Sequence, residues 1–196
     1  MCNMEMVIRT IALYFNYLWL KIKYRKQIWF RGFGVICALK DSEIEFDNKG
    51  GRKINIFSHP FSNMIGLSQR CIIVAKYGGK IKIHEGVAMS GCTIYSMDSI
   101  TIGANTDIGA GCKIIDNDFH PLPFSQRYPK EQLDKIRKRP IVIGEGCFLG
   151  ANSIILKGTT LGKNVVVGAG SVVCGTFPDN VIVAGNPARV VKENHE

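Results

Sequence analysis

Ile143-Gly144-Glu145-Gly146-Cys147-Phe148-Leu149-Gly150-Ala151-Asn152-Ser153-Ile154-Ile155 opens the stretch whose reading decides the fold. One apolar position recurs every six residues, at Ile143, Leu149, Ile155, Leu161, Val167 and Val173. Four residues after each comes a small or β-branched residue, Cys147, Ser153, Thr159, Val165 and Ser171, until Phe177 ends the run. A period of six fits neither the alternation of an ordinary strand nor the turn of an α-helix. It points to an all-β parallel β-helix, in which three hexads make one triangular coil and each coil hydrogen-bonds to the next at about 4.8 Å.

Upstream of that stretch, Ile102, Ile108 and Ile114 keep the same beat, with Gly103 and Gly109 after the first two. Earlier still the rhythm loosens to Ile54-Asn55-Ile56, Ile72-Ile73-Val74 and Ile81-Lys82-Ile83. The glycines that directly follow inward residues (Gly144, Gly150, Gly162, Gly168), together with Asn152 and Asn164, are expected to turn the corners, where glycine and asparagine accept angles other residues resist. The pattern predicts a β-helix domain over residues 51–185, a helical capping extension over 1–50 and a C-terminal tail over 186–196, disordered from Lys192 onward. One break is expected, a loop over 116–140 carrying His120-Pro121-Leu122-Pro123-Phe124 and the basic run Lys135-Ile136-Arg137-Lys138-Arg139. A solenoid gains nothing by interrupting its stacking, so an ejected loop points to a task.

The first thirty residues have another texture. Arg9, Thr10 and Asn16 interrupt an apolar run too short to span a bilayer. The spacing of Ile8, Ile11, Phe15, Leu18 and Ile22 predicts an amphipathic helix covering the open end of the solenoid. A second reading lays it on the inner membrane face through its aromatic residues and lysines.

Seven cysteines, without a C-x-x-C pair or a secretory signal, argue against a disulfide framework or zinc ribbon and favour the cytoplasm. The net charge of +9 comes without a recognition helix, zinc finger or RNA-binding signature, so no nucleic acid is expected and a phosphorylated small molecule suits the cations better.

The hexads, the segment Arg139-Pro140-Ile141-Val142-Ile143-Gly144 and the end Val181-Ile182-Val183-Ala184-Gly185-Asn186-Pro187-Ala188-Arg189-Val190 resemble the hexapeptide-repeat acyltransferases over about residues 80–192. Within them the likeness is closest to the sugar and polysaccharide O-acetyltransferases, with serine acetyltransferase more distant because its helical N-terminal domain is missing. The resemblance implies a left-handed β-helix, a homotrimer and acetyl-coenzyme A (acetyl-CoA) as co-substrate. His120, within Asp116-Asn117-Asp118-Phe119-His120-Pro121, matches the family's catalytic base, with Asp118 or Asp116 to hold its ring.

Carried over position by position, Phe148, Ala151, Gly168 and Ala169 would line the coenzyme, and Arg189 and Lys192 would meet its phosphates. Cys174 and Gly175 stand where some relatives have a threonine–lysine pair, so further phosphate contacts must come from elsewhere. Ser90 and Met89 would lie near a glycan acceptor, small or lipid-linked. The expected activity is O-acetylation of a carbohydrate hydroxyl by direct attack. N-acetylation of an amino sugar or sugar nucleotide, and a non-catalytic trimeric scaffold, are the alternatives. His84 precedes His120 by two coils, a spacing that resembles the γ-class carbonic anhydrases. The third histidine of their zinc site has no counterpart in 121–126, so no metal is expected.

Overall fold

Three stacks of short parallel strands form the faces of a prism in the computed structural model, which describes residues 4–39, 41–49, 51–59, 69–127 and 133–195, with side chains from Ile11 onward. The first face stacks Ile28–Arg31, Ile54–Phe57, Ala88–Ser90, Asp107–Ile108, Phe148–Leu149, Val166–Val167 and Val181–Gly185. The second stacks Val35–Ala38, Ile72–Ala75, Thr93–Ser96, Lys113–Ile115, Ile154–Leu156 and Val172–Val173. The third stacks Glu43–Asp47, Lys80–His84, Ser99–Ile102, Ile141–Ile143, Thr160–Leu161 and Thr176–Phe177. Each coil lends one strand to each face, which gives the parallel β-helix that the hexads predict, of the left-handed kind that the resemblance implies.

Residues in register pile into continuous columns. On the first face Met89, Ile108, Leu149, Val167 and Val183 lie one above another with almost no exposed surface. The follower positions Cys147, Ser153, Thr159, Val165 and Ser171 are buried as well, so each hexad sends two residues inward rather than one.

The corners differ from the expectation in detail. The residues in the left-handed region are Gly146, Asn152, Gly158, Asn164 and Gly170, each three places after an inward residue. The glycines directly after the inward residues serve close approach instead. A Cβ on Gly144 would stand 2.2 Å from the carbonyl oxygen of Gly162 in the next coil, a distance no side chain tolerates.

Three expected boundaries are corrected. Stacking begins at Ile28, because Ile28–Arg31 already pairs in parallel with Ile54–Phe57, so the first coil lies inside the stretch assigned to the extension. Its aromatic fillers Phe30 and Phe46 hide the six-residue beat. Among the described strands the repeat is interrupted a second time, between Phe57 and Ile72. And the C-terminal tail is ordered through Glu193: Ala188–Glu193 returns antiparallel on Val181–Gly185, and Lys192 pairs with Ile182, giving the last strand of the first face a partner.

The helix Met4–Lys23 covers the first coil, as predicted, but with the other side. Tyr17 and Leu20 are buried in the core; the Tyr17 hydroxyl donates to the Gly32 carbonyl at 2.5 Å and Asn16 Nδ2 to the Ile36 carbonyl at 2.6 Å. Ile11, Phe15 and Ile22, expected to pack inward, face outward, while Leu18 is half-buried and the side chain of Ile8 lies outside the described residues. The helix carries two apolar stripes, and the one through Tyr17, Leu20 and Tyr24 meets the rings of Phe30, Phe33 and Phe46. No described helix is long and apolar enough to cross a membrane.

Candidate active site

The loop over 116–140 leaves the prism where the second face turns into the third, and its base is fastened rather than loose. Asp116 has no exposed surface. Its two carboxylate oxygens accept from Ser96 Oγ at 2.6 Å, the Met97 amide at 2.8 Å, the Asp98 amide at 2.9 Å and Asn117 Nδ2 at 3.0 Å. Four donors around one buried carboxylate lock the departing strand to the corner of the coil above. The two arms then pair: Asn117 bridges Lys138, the Asp118 amide donates to the Arg137 carbonyl at 3.0 Å, and the Arg139 amide to the Asp116 carbonyl at 2.9 Å. Lys138 Nζ reaches back to the Met97 carbonyl at 2.9 Å.

Above this base the chain turns sharply. Asn117 Oδ1 accepts the Phe119 amide at 2.9 Å, Phe119 takes a φ of 58°, and its ring rests 4.8 Å from that of Tyr95. The turn holds His120 on the surface. Burial raises the Tyr95 phenol above its ordinary range, so it stays protonated under the turn.

Asp118 is held in a different way from the expectation. One carboxylate oxygen pairs with Lys157 Nζ, one coil further on, and the other, Oδ2, is buried with no hydrogen-bond partner. A half-buried carboxylate with one unsatisfied oxygen, two residues from an exposed imidazole, is an acceptor in waiting. Asp116, by contrast, has its acceptors taken and cannot also hold the ring.

Next to the loop base a cleft of about 710 Å³ opens, lined by Lys135, Arg137, Lys138, Arg139 and Lys157, with Asp134 the one acid among the described lining residues and Cys174 beside them. With Lys157 paired to Asp118, four further cations against one described carboxylate suit it to a polyanion. Cys174 and Gly175 thus stand beside the cations that could replace a threonine–lysine pair. Sequence reasoning missed Lys157, because its place beside Asp118 follows from the register of Ile115 with Leu156 across the loop, which only the fold displays.

The other expected site residues fall into separate groups. Ala151 and Ala169 stack at the corner between the first and second faces, where the Gly170 amide donates to the Ala151 carbonyl at 2.9 Å, and Gly168 adjoins them. Phe148 projects from the first face and is 48% exposed. Arg189 and Lys192 are exposed on the closing antiparallel strand of that same face. Within one chain the second face lies between His120 and Phe148. Met89 is corrected: it is fully buried in the central column and cannot touch an acceptor, and Ser90 beside it is nearly as buried. His84 Nδ1 lies 3.6 Å from Asp47 Oδ2, and no group of metal-binding residues forms among the described residues.

Residues 140–174 match the family model described as the hexapeptide repeat of succinyl-transferase. WbbJ of Escherichia coli (strain K12), whose name assigns it to O-acetyl transfer in lipopolysaccharide biosynthesis, is 39% identical over 53% of this chain and 55% of its own length. The galactoside O-acetyltransferase of Lactococcus lactis subsp. lactis (strain IL1403) is 33% identical over 65% of this chain and 62% of its own. The chain thus spans little more than half the length of these curated relatives. Among solved structures, AntD, an N-acyltransferase from Bacillus cereus, superposes with a TM-score of 0.53 at 18% identity, over 89% of this chain and 87% of that one, which speaks for the fold. Repeat, register and relatives agree that the chain carries the hexapeptide repeat over residues 140–174 and is similar to acetyltransferases built on that repeat.

Proposed function

We propose that the chain is an acetyl-CoA-dependent O-acetyltransferase that modifies a carbohydrate hydroxyl of an envelope glycan, working in the cytoplasm as a homotrimer. The observation that carries this reading is the placement of His120, solvent-facing on a fastened loop beside a cationic cleft. The names of WbbJ and the galactoside O-acetyltransferase support a sugar acceptor.

His120 takes the proton of the acceptor hydroxyl as its oxygen attacks the thioester carbonyl. The tetrahedral adduct collapses, the C–S bond breaks, and the leaving thiolate recovers the proton from the imidazolium, so that acetyl ester and free thiol form without a covalent enzyme intermediate. Asp118 Oδ2, buried without a donor, accepts a hydrogen bond from the Nδ1–H of His120 and steadies the charged ring. Arg137, Arg139 and Lys157 hold the coenzyme phosphates beside Cys174. The backbone of Ala151 and Ala169, with Phe148, contacts the rest of the coenzyme. Because His120 and Phe148 lie on different sides of one prism, the complete site forms where the loop of one protomer meets the first face of the next.

Thiol release from acetyl-CoA with pooled sugar acceptors tests the reading in the intact protein and in His120→Ala. Equal rates in the two proteins refute the base. Absence of both release and coenzyme binding in the intact protein assigns the chain to a binding scaffold instead.

A further inference from the structure

Among the described residues, no element of the fold covers the outward stripe of the N-terminal helix. Ile11 is 49% exposed, Phe15 64%, Trp19 54% and Ile22 71%, and they recur at the spacing of one helix face. The inward stripe, through Tyr17 and Leu20, already covers the first coil, so this one is not needed for capping. A large exposed apolar stripe raises the free energy of the isolated protein unless something covers it.

Its surroundings identify what does. From Met6 to Lys40 the sequence holds seven lysines and arginines and no aspartate or glutamate. Lys21, Lys23, Arg25, Lys26 and Arg31 are all exposed. Lys23 Nζ sits 4.7 Å from the centre of the Trp19 ring, and the Arg31 guanidinium 4.2 Å from that of Trp29, itself 51% exposed. Apolar side chains at the centre, indoles at the margin and cations around them match the order of acyl chain, interface and headgroup in an anionic bilayer. A second copy of the stripe would bring a like cationic cluster with no acid to meet it, and nucleic acid has no use for Ile11, Phe15 and Ile22.

We infer that the helix Met4–Lys23 rests in the plane of an anionic lipid surface, with Ile11, Phe15, Trp19 and Ile22 in the acyl boundary and the cations 21–31 on lipid phosphates. This holds the N-terminal end of the prism at the membrane. It is independent of the proposed chemistry and stands or falls without it.

Vesicle co-sedimentation of the full chain tests it, with phosphatidylcholine alone and with phosphatidylglycerol added. Binding is expected only where phosphatidylglycerol is present and is weakened by salt. In a Trp29→Phe background the Trp19 emission shifts to the blue on binding. Phe15→Asp with Ile22→Asp weakens binding by about tenfold or more. Lys21→Gln and Lys26→Gln weaken it by about fivefold each. All four positions face water, so melting temperature and thiol release with soluble sugars, measured without vesicles, stay as in the parent protein. Sedimentation that ignores lipid charge, or survives the paired aspartates, overturns the inference. So does the absence of vesicle binding together with an oligomer that the paired aspartates dissociate, which would give the stripe to a second copy.

Discussion

The coils of 141–177 and the corner that ejects the loop are built from the same strands, yet they solve opposite problems. In the coils every corner is turned by a residue that tolerates a positive φ, and side chains vary freely as long as two per hexad point inward. At the ejecting corner the backbone is redirected by buried polar chemistry: a carboxylate with four donors, a two-armed bridge and a lysine reaching a carbonyl. The coils gain stability by being interchangeable. The corner trades that for a fixed place to present one imidazole and a cluster of cations. Substitutions should separate the two regions by what they remove, activity or fold.

The largest effect is expected at His120. His120→Ala should lower thiol release by roughly 10²–10⁴-fold while leaving the melting temperature where it was, because the side chain is exposed. Asp118→Asn tests the positioning role. If Oδ2 holds the ring, kcat falls and KM for acetyl-CoA stays, whereas a change in KM alone would show that Asp118 acts only through Lys157 on the cleft.

Asp116→Ala moves the comparison to stability. It leaves two backbone amides and the Asn117 amide group without their acceptor in a buried corner, while the Ser96 hydroxyl keeps only the Lys80 carbonyl. The cost is on the order of 3 kcal/mol or more, and the melting temperature drops by roughly 6–12 °C. Activity should fall with it, since the loop loses its anchor. A protein that keeps both would show that the paired arms alone hold the loop.

The two regions were unequally legible in the sequence. The coils could be read because their constraint is periodic: six-residue spacing records inward columns directly, and Ile143 to Val173 needed no structure to be placed. The first coil hid because Phe30 and Phe46 fill its core without the hexad spacing, and the helix was found but turned the wrong way because it carries two stripes. At the corner, His120 stood out by its motif and the basic run by its charge. What could not be read was long-range. Asp116 as an anchor, Lys157 as the partner of Asp118 and the burial of Met89 depend on which coil lies against which, and the loop interrupts the count.

The cleft offers a smaller and cleaner effect. Arg137→Ala with Arg139→Ala should raise KM for acetyl-CoA by about tenfold and leave the melting temperature nearly unchanged. Cys174 reports on the same place. It is exposed, whereas burial holds the thiols of Cys112 and Cys147 above their ordinary value, and Cys71, brought down to about 7 by its hydrogen bond with Cys92, has no accessible surface. Among the described cysteines alkylation should therefore go first to Cys174, and coenzyme should slow it. Unchanged labelling in the presence of saturating coenzyme would move the phosphates out of this cleft.

The smallest expected effect sharpens the comparison on its structural side. Gly144 and Gly170 look alike in the sequence, two glycines of one repeat, but they are required for different reasons. At Gly170 a Cβ would meet nothing within 4 Å and only the φ of 71° resists it, so Gly170→Ala should cost about 1 kcal/mol. At Gly144 the obstacle is the backbone of the next coil, 2.2 Å away, and relieving it means parting two coils that share a ladder of hydrogen bonds. Gly144→Ala should then cost about 1–3 kcal/mol, more than its neighbour, with the loss read by thermal melting. Gly170→Asn should restore most of the loss at Gly170, as Asn152 and Asn164 already occupy that position in neighbouring hexads, whereas Gly144→Asn should be worse than alanine. Equal costs at the two glycines would mean that conformation alone shapes the coils and that their close stacking constrains nothing.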